Sequence, residues 1–512
     1  MNNVSEQNVP AACAKPTKSA KPGMVNFISP SSAERLRNFF LQAGYAEHAV
    51  ARTLDLLDIS AKQDCGSEEL MERTKEQTAL NVLLRWFWIG VPQEASAVKD
   101  LVPSRIAEIL LEAGLLRNQG QQLQPTVMII PAKGCLFVSD QRRSLDSGQP
   151  DLVLWPNPTS IMLSQFTVRR PSRATLDLGT GNGIQAVFAS SHSERVVATD
   201  VSSRAVSFAV FNARLNGVEN VEFLVGDSFE PVGSRKFDLV VSNPPFFITP
   251  STRYVFCDNS LDLDNLCRKL ARQAPSHLNE GGHFQMLCEW AEISGQSWQQ
   301  RIAEWFHNTG CDAIVTRMYA REPATYARQY AVSTGHSREA RSDLYSSHMA
   351  YFSQKNVVAI HGGVVSLRRR SAHNWLAMDD LKRVPKGPFG DSILNTFAAR
   401  DFLQSHAADH QLLAAAVKLA PDARLEQVMT QEAGGWRAEL LSLRLSTGLE
   451  RSIKVRPLVA EFLTRCDGIR TLGEITGEFA AKVNAPAEQV NKECVDIVRK
   501  LVASGLMSTP TI

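Results

Sequence analysis

Thr175-Leu176-Asp177-Leu178-Gly179-Thr180-Gly181-Asn182-Gly183 runs from a short apolar strand into a glycine-rich turn, and a helix is due to begin near Ile184. Glycine lets the main chain approach a ligand closely and adopt φ values closed to other residues, and the first turn of a helix presents free N–H donors. A strand, a glycine loop and a helix in that order make room for a nucleotide-like ligand at a strand's carboxyl end. The loop alone is shared with NAD-binding proteins and with ordinary tight turns. Working outward, Val196-Val197-Ala198-Thr199-Asp200 ends the next strand on a carboxylate able to accept both hydroxyls of a ribose. Asp227-Ser228 ends the third, positioned to meet an adenine edge. Either aspartate by itself reads equally well as a turn residue, whereas three strand ends in register point to one site. Between about 172 and 370, apolar runs at 174–178, 195–199, 221–225, 237–242, 282–288, 311–319 and 357–368 alternate with helical stretches. That alternation predicts an α/β domain, an open, mostly parallel, doubly wound sheet with helices on both faces.

The fourth strand ends in Val240-Val241-Ser242-Asn243-Pro244-Pro245-Phe246, on the same carboxyl edge. An amide or exocyclic amine nitrogen is a poor nucleophile because its lone pair is delocalised into the adjoining π system. The Asn243 side-chain oxygen and the Pro244 carbonyl can each accept one N–H, which leaves that lone pair facing an electrophilic methyl group. Pro244 and Pro245 fix φ and hold the carbonyl in place, so little ordering remains when a substrate arrives. Phe246 offers an aromatic face to a flat target. A Pro-Pro turn would account for the prolines but not for Asn243 or Phe246 at this place. Direct methyl transfer needs in-line geometry and no catalytic cysteine or metal. The eleven histidines include no H-E-x-x-H or other ligand spacing, so no metal is expected.

From about 155 to 368 the chain resembles the class I S-adenosylmethionine-dependent methyltransferases with the "small" methyltransferase domain. That group includes release-factor glutamine methyltransferases and bacterial ribosomal-RNA guanine and adenine methyltransferases, and the whole chain resembles a bacterial branch of it. The resemblance rests on Leu176 to Gly183, Asp200, Asp227-Ser228 and Asn243-Pro244-Pro245-Phe246. It implies a Rossmann-like seven-stranded core with a late antiparallel return and S-adenosyl-L-methionine as cofactor. It places Asp177, Gly179, Thr180, Gly181, Asn182 and Gly183 around the methionine part, Asp200 on the ribose and Asp227 and Ser228 near the adenine, with Asn243 also at the cofactor. Asn243, Pro244, Pro245 and Phe246 become the catalytic turn, and Pro158-Thr159 resembles the short entry motif that closes over the cofactor in the glutamine enzymes. The glutamine enzymes usually have Tyr where this chain has Phe246, and the guanine enzymes usually have His where it has Phe247, so the acceptor stays open. The expected acceptor is an exocyclic amine of a base, in RNA ahead of DNA, presented single-stranded or flipped out. The alternative is a glutamine side-chain amide in a protein. A non-catalytic S-adenosylmethionine-binding regulator and an NAD-dependent oxidoreductase are rivals that the intact fourth-strand motif disfavours.

The remaining sequence predicts the frame around that core. A chain of 512 residues suggests about three domains: a polar disordered tail at 1–24, with Met24 a candidate start, then 25–150, 151–370 and 371–512. In 25–150, Ser31 stands three residues before Glu34 in capping-box spacing, helical patterns run through 50–57, 79–88 and the stretch after Pro103, and 123–130 with 135–138 predicts a hairpin. This reads as a helical, winged-helix-like domain, whose candidate recognition helix carries Glu108 and Glu112 against a single Arg105 and so suits packing better than nucleic-acid binding. The region 371–512 reads as helical or winged-helix-like too, with a faint similarity to small peptide-binding modules. Nine scattered cysteines without C-x-x-C, a net charge of +2 and no long apolar run predict a cytoplasmic protein with no membrane association and no strongly basic coat. Arg169-Arg170 with Arg173, and Arg368-Arg369-Arg370, are basic clusters able to hold phosphates.

Overall fold

The computed structural model describes residues 25–56, 67–142, 144, 149–334, 337–381, 387–432, 434–449 and 451–508. The expected tail at 1–24, including Met24, lies outside them. The described residues divide into two compact units, one holding those up to Arg142 together with Val210–Gly217, the other those of 143–209 and from Val218 onward.

In the first unit the opening helix, Pro30–Gln42, is capped by Ser29, whose Oγ accepts the Ser32 N–H, with Pro30 in the first turn. The cap therefore stands two residues ahead of the expected Ser31. The apolar run 123–130 splits at Thr126, whose N–H turns aside to the Leu115 carbonyl. Gln122–Pro125 pairs with Leu116–Gln119 and Gln93–Glu94, while Met128–Ala132 pairs with Cys135–Ser139. Helix Ser104–Glu112 lies between the first and second strands of this three-stranded sheet, and Arg105 is held by Glu108 and Glu112 on the same helix.

The second unit is built on an eight-stranded sheet. Its strands are β1 Ser172–Leu178, β2 Ser193–Asp200, β3 Val221–Val225, β4 Phe237–Ser242, β5 Leu278–Ile293, β6 Cys311–Arg321, β7 Val357–Arg369 and β8 Leu376–Asp380, in the spatial order β8-β6-β7-β5-β4-β1-β2-β3. β1 to β5 run parallel, and β7 lies antiparallel between β5 and β6. The late return expected from the sequence is thus present, with β8 added beside β6 as an unexpected parallel edge strand. β1 and β4 are buried on both faces, as a parallel sheet covered by helices requires. The covering helices include α1 Pro158–Phe166, α2 Ile184–Ala189, α3 Ser203–Leu215 with its residues 203–209 in this unit, α4 Asn265–Gln273 and α5 Trp298–Phe306. The main core gathers Leu176, Val240, Phe284, Val365, Trp305 and their neighbours. Fully buried Gln285 ties α1 to it, accepting the Val168 N–H at 2.6 Å and donating to the Phe166 carbonyl at 2.7 Å.

Between β6 and β7 stand α6 Pro323–Thr334 and α7 Arg338–Gln354; after β8 comes α8 Gly390–Ser405, whose Ile393, Leu394 and Phe397 join the main core. Beyond it, helices Leu472–Val483 and Ala487–Ala503 pack with strands Ala416–Leu419, Asp467–Thr471 and Met507–Ser508 around Phe462, Phe479 and Val495. The stretch read as a helical region contains instead a long antiparallel hairpin, Ala423–Glu432 with Gly435–Leu445, extended by Ser452–Val455. No helix among the described residues is long and apolar enough to cross a membrane.

Candidate active site

Leu178 pairs with Ser242 on one side and with Thr199 on the other, and Asp200 pairs with Val225. The glycine loop, Asp200, the 226–228 turn and the Asn243 turn therefore leave the sheet along one rim. Ser242 Oγ donates to the Leu178 carbonyl at 2.9 Å, fastening the first and fourth exits together. Strand order reverses between β1 and β4, and an open sheet forms its crevice at such a switch point. A cleft lies there. Gly179, Thr180, Gly181 and Asn182 line it, as do Asp200, Asp227 and Ser228 and, facing them, Asn243, Pro244 and Pro245.

Three expected residues stand behind the cleft wall instead. Asp177 is 1% exposed, and its Oδ2 accepts the Thr180 hydroxyl at 2.6 Å and the Ala186 N–H at 2.9 Å, so it shapes the loop from beneath. Gly183 caps α2 at φ 84°, and a Cβ there would meet Ala209 Cα at 3.0 Å. Phe246 is 7% exposed and packed into the main core, its edge against Phe247 with ring centroids 5.4 Å apart. The aromatic face expected to meet a flat target is turned inward.

The rim residues are arranged to receive polar groups. Asp200 Oδ2 accepts the Gly181 N–H and its Oδ1 the Ser202 N–H, each at 2.9 Å. A carboxylate has about four lone-pair sites, so two remain for the vicinal hydroxyls of a ribose. Ser228, at φ 50°, donates to Asp227 Oδ1 at 2.7 Å. Pro158 occupies the first turn of α1 behind the Asn157 cap, and Thr159 Oγ1 donates to Asn157 Oδ1 at 2.7 Å. Asn157 and Ser160 reach the cleft, whereas Pro158 and Thr159 do not line it. The Asn243 Oδ1 is buried with no hydrogen-bond partner among the described residues. An orphaned acceptor of that kind costs about 1–3 kcal/mol and is explained when a ligand N–H completes it.

Several contributors carry no sequence signal. Leu154 and Trp155 form a strap over the cleft, pinned where Asn182 Nδ2 donates to the Leu154 carbonyl at 2.9 Å. Val255 and Phe256 close it from the loop after the turn, and Asn259 Nδ2 donates to the Pro245 carbonyl at 2.9 Å, fixing the turn's far end. The basic cluster Arg368-Arg369-Arg370 is committed internally: Arg368 and Arg370 pair with Asp312 and Asp401, and Arg369 donates to the Thr309 carbonyl. In the other cluster Arg169 donates to the Ser164 carbonyl and Arg173 lies 3.8 Å from Asp238. Among the described residues no group of three or more His, Cys, Asp and Glu could hold a metal.

Burial pushes the Asp177 carboxyl up from 3.8 to about 7, against the pull of its two hydrogen bonds. Unfolded, the group loses its proton near 3.8, while folded it keeps it to about 7. Between those values the folded state binds more protons, so the group's contribution to stability falls as pH rises through the window and is lowest above it. Asp177→Asn should therefore flatten part of the decline in Tm between about pH 4 and about pH 7, with the cleft intact. A decline of unchanged slope in the variant would show that the carboxyl titrates elsewhere.

This strand order, with ligand-facing turns on β1, β2, β3 and β4 at one rim, defines the Rossmann-like class I methyltransferase fold. The family described as "Methyltransferase small domain" matches residues 157–310, and a "Domain of unknown function (DUF7782)" matches 395–509. The chain is 32% identical over 171 residues to a release factor glutamine methyltransferase of Xylella fastidiosa, covering 30% of this chain and 60% of that one. It is 28% identical over 246 residues to that of Yersinia pestis, covering 44% and 83%. To a Methanocaldococcus jannaschii protein named as a candidate N5-glutamine methyltransferase it is 30% identical over 139 residues, covering 26% and 70%. The chain belongs to the S-adenosylmethionine-dependent methyltransferases with the small methyltransferase domain. It spans 60% of the length of the Xylella relative, so the likeness is one of the core and not of the whole proteins.

Proposed function

We propose that the protein transfers a methyl group from S-adenosylmethionine to the side-chain amide nitrogen of glutamine in a protein acceptor. The observation that carries the reading is the buried, unpartnered Asn243 Oδ1 on a turn that shares its cleft with the glycine loop. When bound, the cofactor supplies an electrophilic methyl on a positively charged sulfur. Everything else falls to the chain. Asp200 and the 226–228 turn hold the nucleoside, and the loop from Gly179 to Asn182 presses against the remainder. Asn243 Oδ1 and the Pro244 carbonyl take the two amide hydrogens, so the nitrogen lone pair is drawn out of conjugation and aimed across the cleft; the nitrogen would gain the methyl as its bond to sulfur breaks with the pair left on sulfur, and would release one of its two protons to solvent. The strap at Leu154-Trp155 keeps bulk water from the transfer.

The names of the Xylella, Yersinia and Methanocaldococcus relatives support a glutamine acceptor. The base-directed expectation also loses its stacking surface, because Phe246 is packed in the core. The test is incubation of the full chain with methyl-labelled cofactor, a cell extract cleared of nucleic acid and a matched RNA fraction. Label that digestion and mass spectrometry place on glutamine is the expected result; label only in RNA would overturn the reading.

A further inference from the structure

β6 and β7 are neighbouring antiparallel strands, which a loop of about two to five residues can join. The chain instead uses residues 322–356 there, folded into α6 and α7. This helical pair packs on the segment that continues from the catalytic turn. Ile248 joins Tyr326, Ala327 and Phe352 in a small core of its own, and its N–H donates to Tyr326 Oη at 3.0 Å. Tyr330 Oη donates to Asp258 Oδ1 at 2.7 Å, and the Phe247 and Tyr330 rings meet edge to face with centroids 5.9 Å apart.

The result is a second, open hollow whose lining is distinct from that of the cofactor cleft. Asn243 to Pro245 line the first space, and Phe247, two residues on, lines the second. Phe247, Tyr326 and Tyr330 give the second cavity aromatic walls; Glu289 lies at its base, and Arg321 and Arg328 stand in its lining. Glu289 is fully buried, and its two oxygens accept the hydroxyls of Tyr319 at 2.7 Å and Tyr326 at 2.5 Å. Burial pushes its carboxyl up to about 7, so it offsets the two guanidiniums only in part. Arg321 lies 3.9 Å from Glu289 and over the Tyr319 ring at 4.0 Å. Arg328, on the exposed face of α6, has no ion pair among the described residues. An aromatic hollow with surplus positive charge, one turn away from the reacting amide, complements an anion on a short apolar stem.

We propose that this cavity receives an acidic side chain of the acceptor polypeptide, from a residue flanking the methylated glutamine, and that Arg328 and Arg321 hold its carboxylate. The inference rests on the glutamine reading above. Pro245 lines one space and Phe247 the other, and an extended chain advances about 3.3–3.6 Å per residue, so the occupant is assigned to a residue near the glutamine in sequence.

The test gives the full chain S-adenosylmethionine and two peptides that differ only beside their glutamine, one with Glu and one with Lys. The Glu peptide should have a KM about tenfold lower at equal kcat; Arg328→Gln should erase the difference and Arg328→Glu reverse it, with the cofactor Kd unchanged. Equal KM values in the unaltered protein, or a preference that survives Arg328→Glu, would overturn the proposal. Binding of fluorescent versions of both peptides separates recognition by the hollow from methylation of glutamine. Preferential binding of the Glu peptide, lost in Arg328→Glu but without methylation of either, would remove the glutamine reading and leave the cavity's chemistry standing. Absence of preferential binding removes the cavity assignment. Methylation of an oligoribonucleotide with a KM raised by Arg328→Glu would replace the carboxylate with a phosphate and overturn it too.

Discussion

Asn243→Ala should lower kcat by about two to three orders of magnitude, the loss that follows removal of one preorganised polar contact to a reacting group. The cofactor Kd should move by no more than about threefold. The asymmetry follows from where the side chain's chemistry points. In the proposed arrangement the nucleoside would be held by Asp200 and by the loop it fastens through the Gly181 N–H, a contact made without Asn243. Oδ1 of Asn243, by contrast, is buried with no partner among the described residues, so its hydrogen-bonding capacity is reserved for what enters. An amide nitrogen that keeps its conjugation attacks slowly, and alanine offers nothing to localise the lone pair. Single-turnover transfer of labelled methyl, with cofactor affinity by titration calorimetry, measures both quantities. Parallel losses in kcat and cofactor affinity would mean that Asn243 builds the nucleoside pocket, and the assignment of the turn would fail.

The parts of the fold legible in the sequence were those where one local signal dominates. β1 to β4 are short apolar runs that end at or just before Gly, Asp or Asn, and their ends converge on the rim because parallel strands in register must expose their exits together. β8 was not legible: Leu376-Ala377-Met378-Asp379-Asp380 has no β-branched residue, and it forms a strand because β6 offers an edge, Ala313 facing Leu376. The hairpin from Ala423 was missed for the opposite reason. Its first strand is exposed nearly throughout, so it lacks the alternation that a half-buried strand displays. At the site, the motif showed which residue types gather but not which way they face. Asn243 and Phe246 stand three positions apart on one turn, yet one lines the cleft and the other fills the core, a choice made by packing against β5 and α4. Glu289 and α6 were unreadable as site elements, since only the tertiary fold brings 289, 321–333 and 247 together. The Arg368 to Arg370 cluster illustrates the same limit, because its carboxylate partners lie at 312 and 401.

That cluster supports the largest effect on stability. Asp312→Ala should cost about 3–5 kcal/mol, the range for breaking a buried ion pair by removing one member. Asp312 is fully buried on β6, its Oδ2 2.5 Å from Arg368 Nη2 and 3.8 Å from Arg370 Nη1. Both arginines reach on to Asp401 of α8, at 2.6 and 2.5 Å, so one network of four charges clamps that helix to the sheet. Alanine would leave the Arg368 guanidinium, which is 13% exposed, without its buried partner while its desolvation remains. The cost should therefore fall when the charge is removed as well: Asp312→Leu combined with Arg368→Met should be less destabilised than Asp312→Ala alone. Asp401→Ala should cost less than either, because Asp401 is 30% exposed and water can replace part of what it supplies. Urea unfolding followed through tryptophan fluorescence in a Trp86→Phe, Trp88→Phe background, which leaves only tryptophans of the second unit, measures all three. A loss below about 1 kcal/mol for Asp312→Ala would place the network among surface ion pairs and leave the packing of Phe397 and Ile393 as what holds α8 in position.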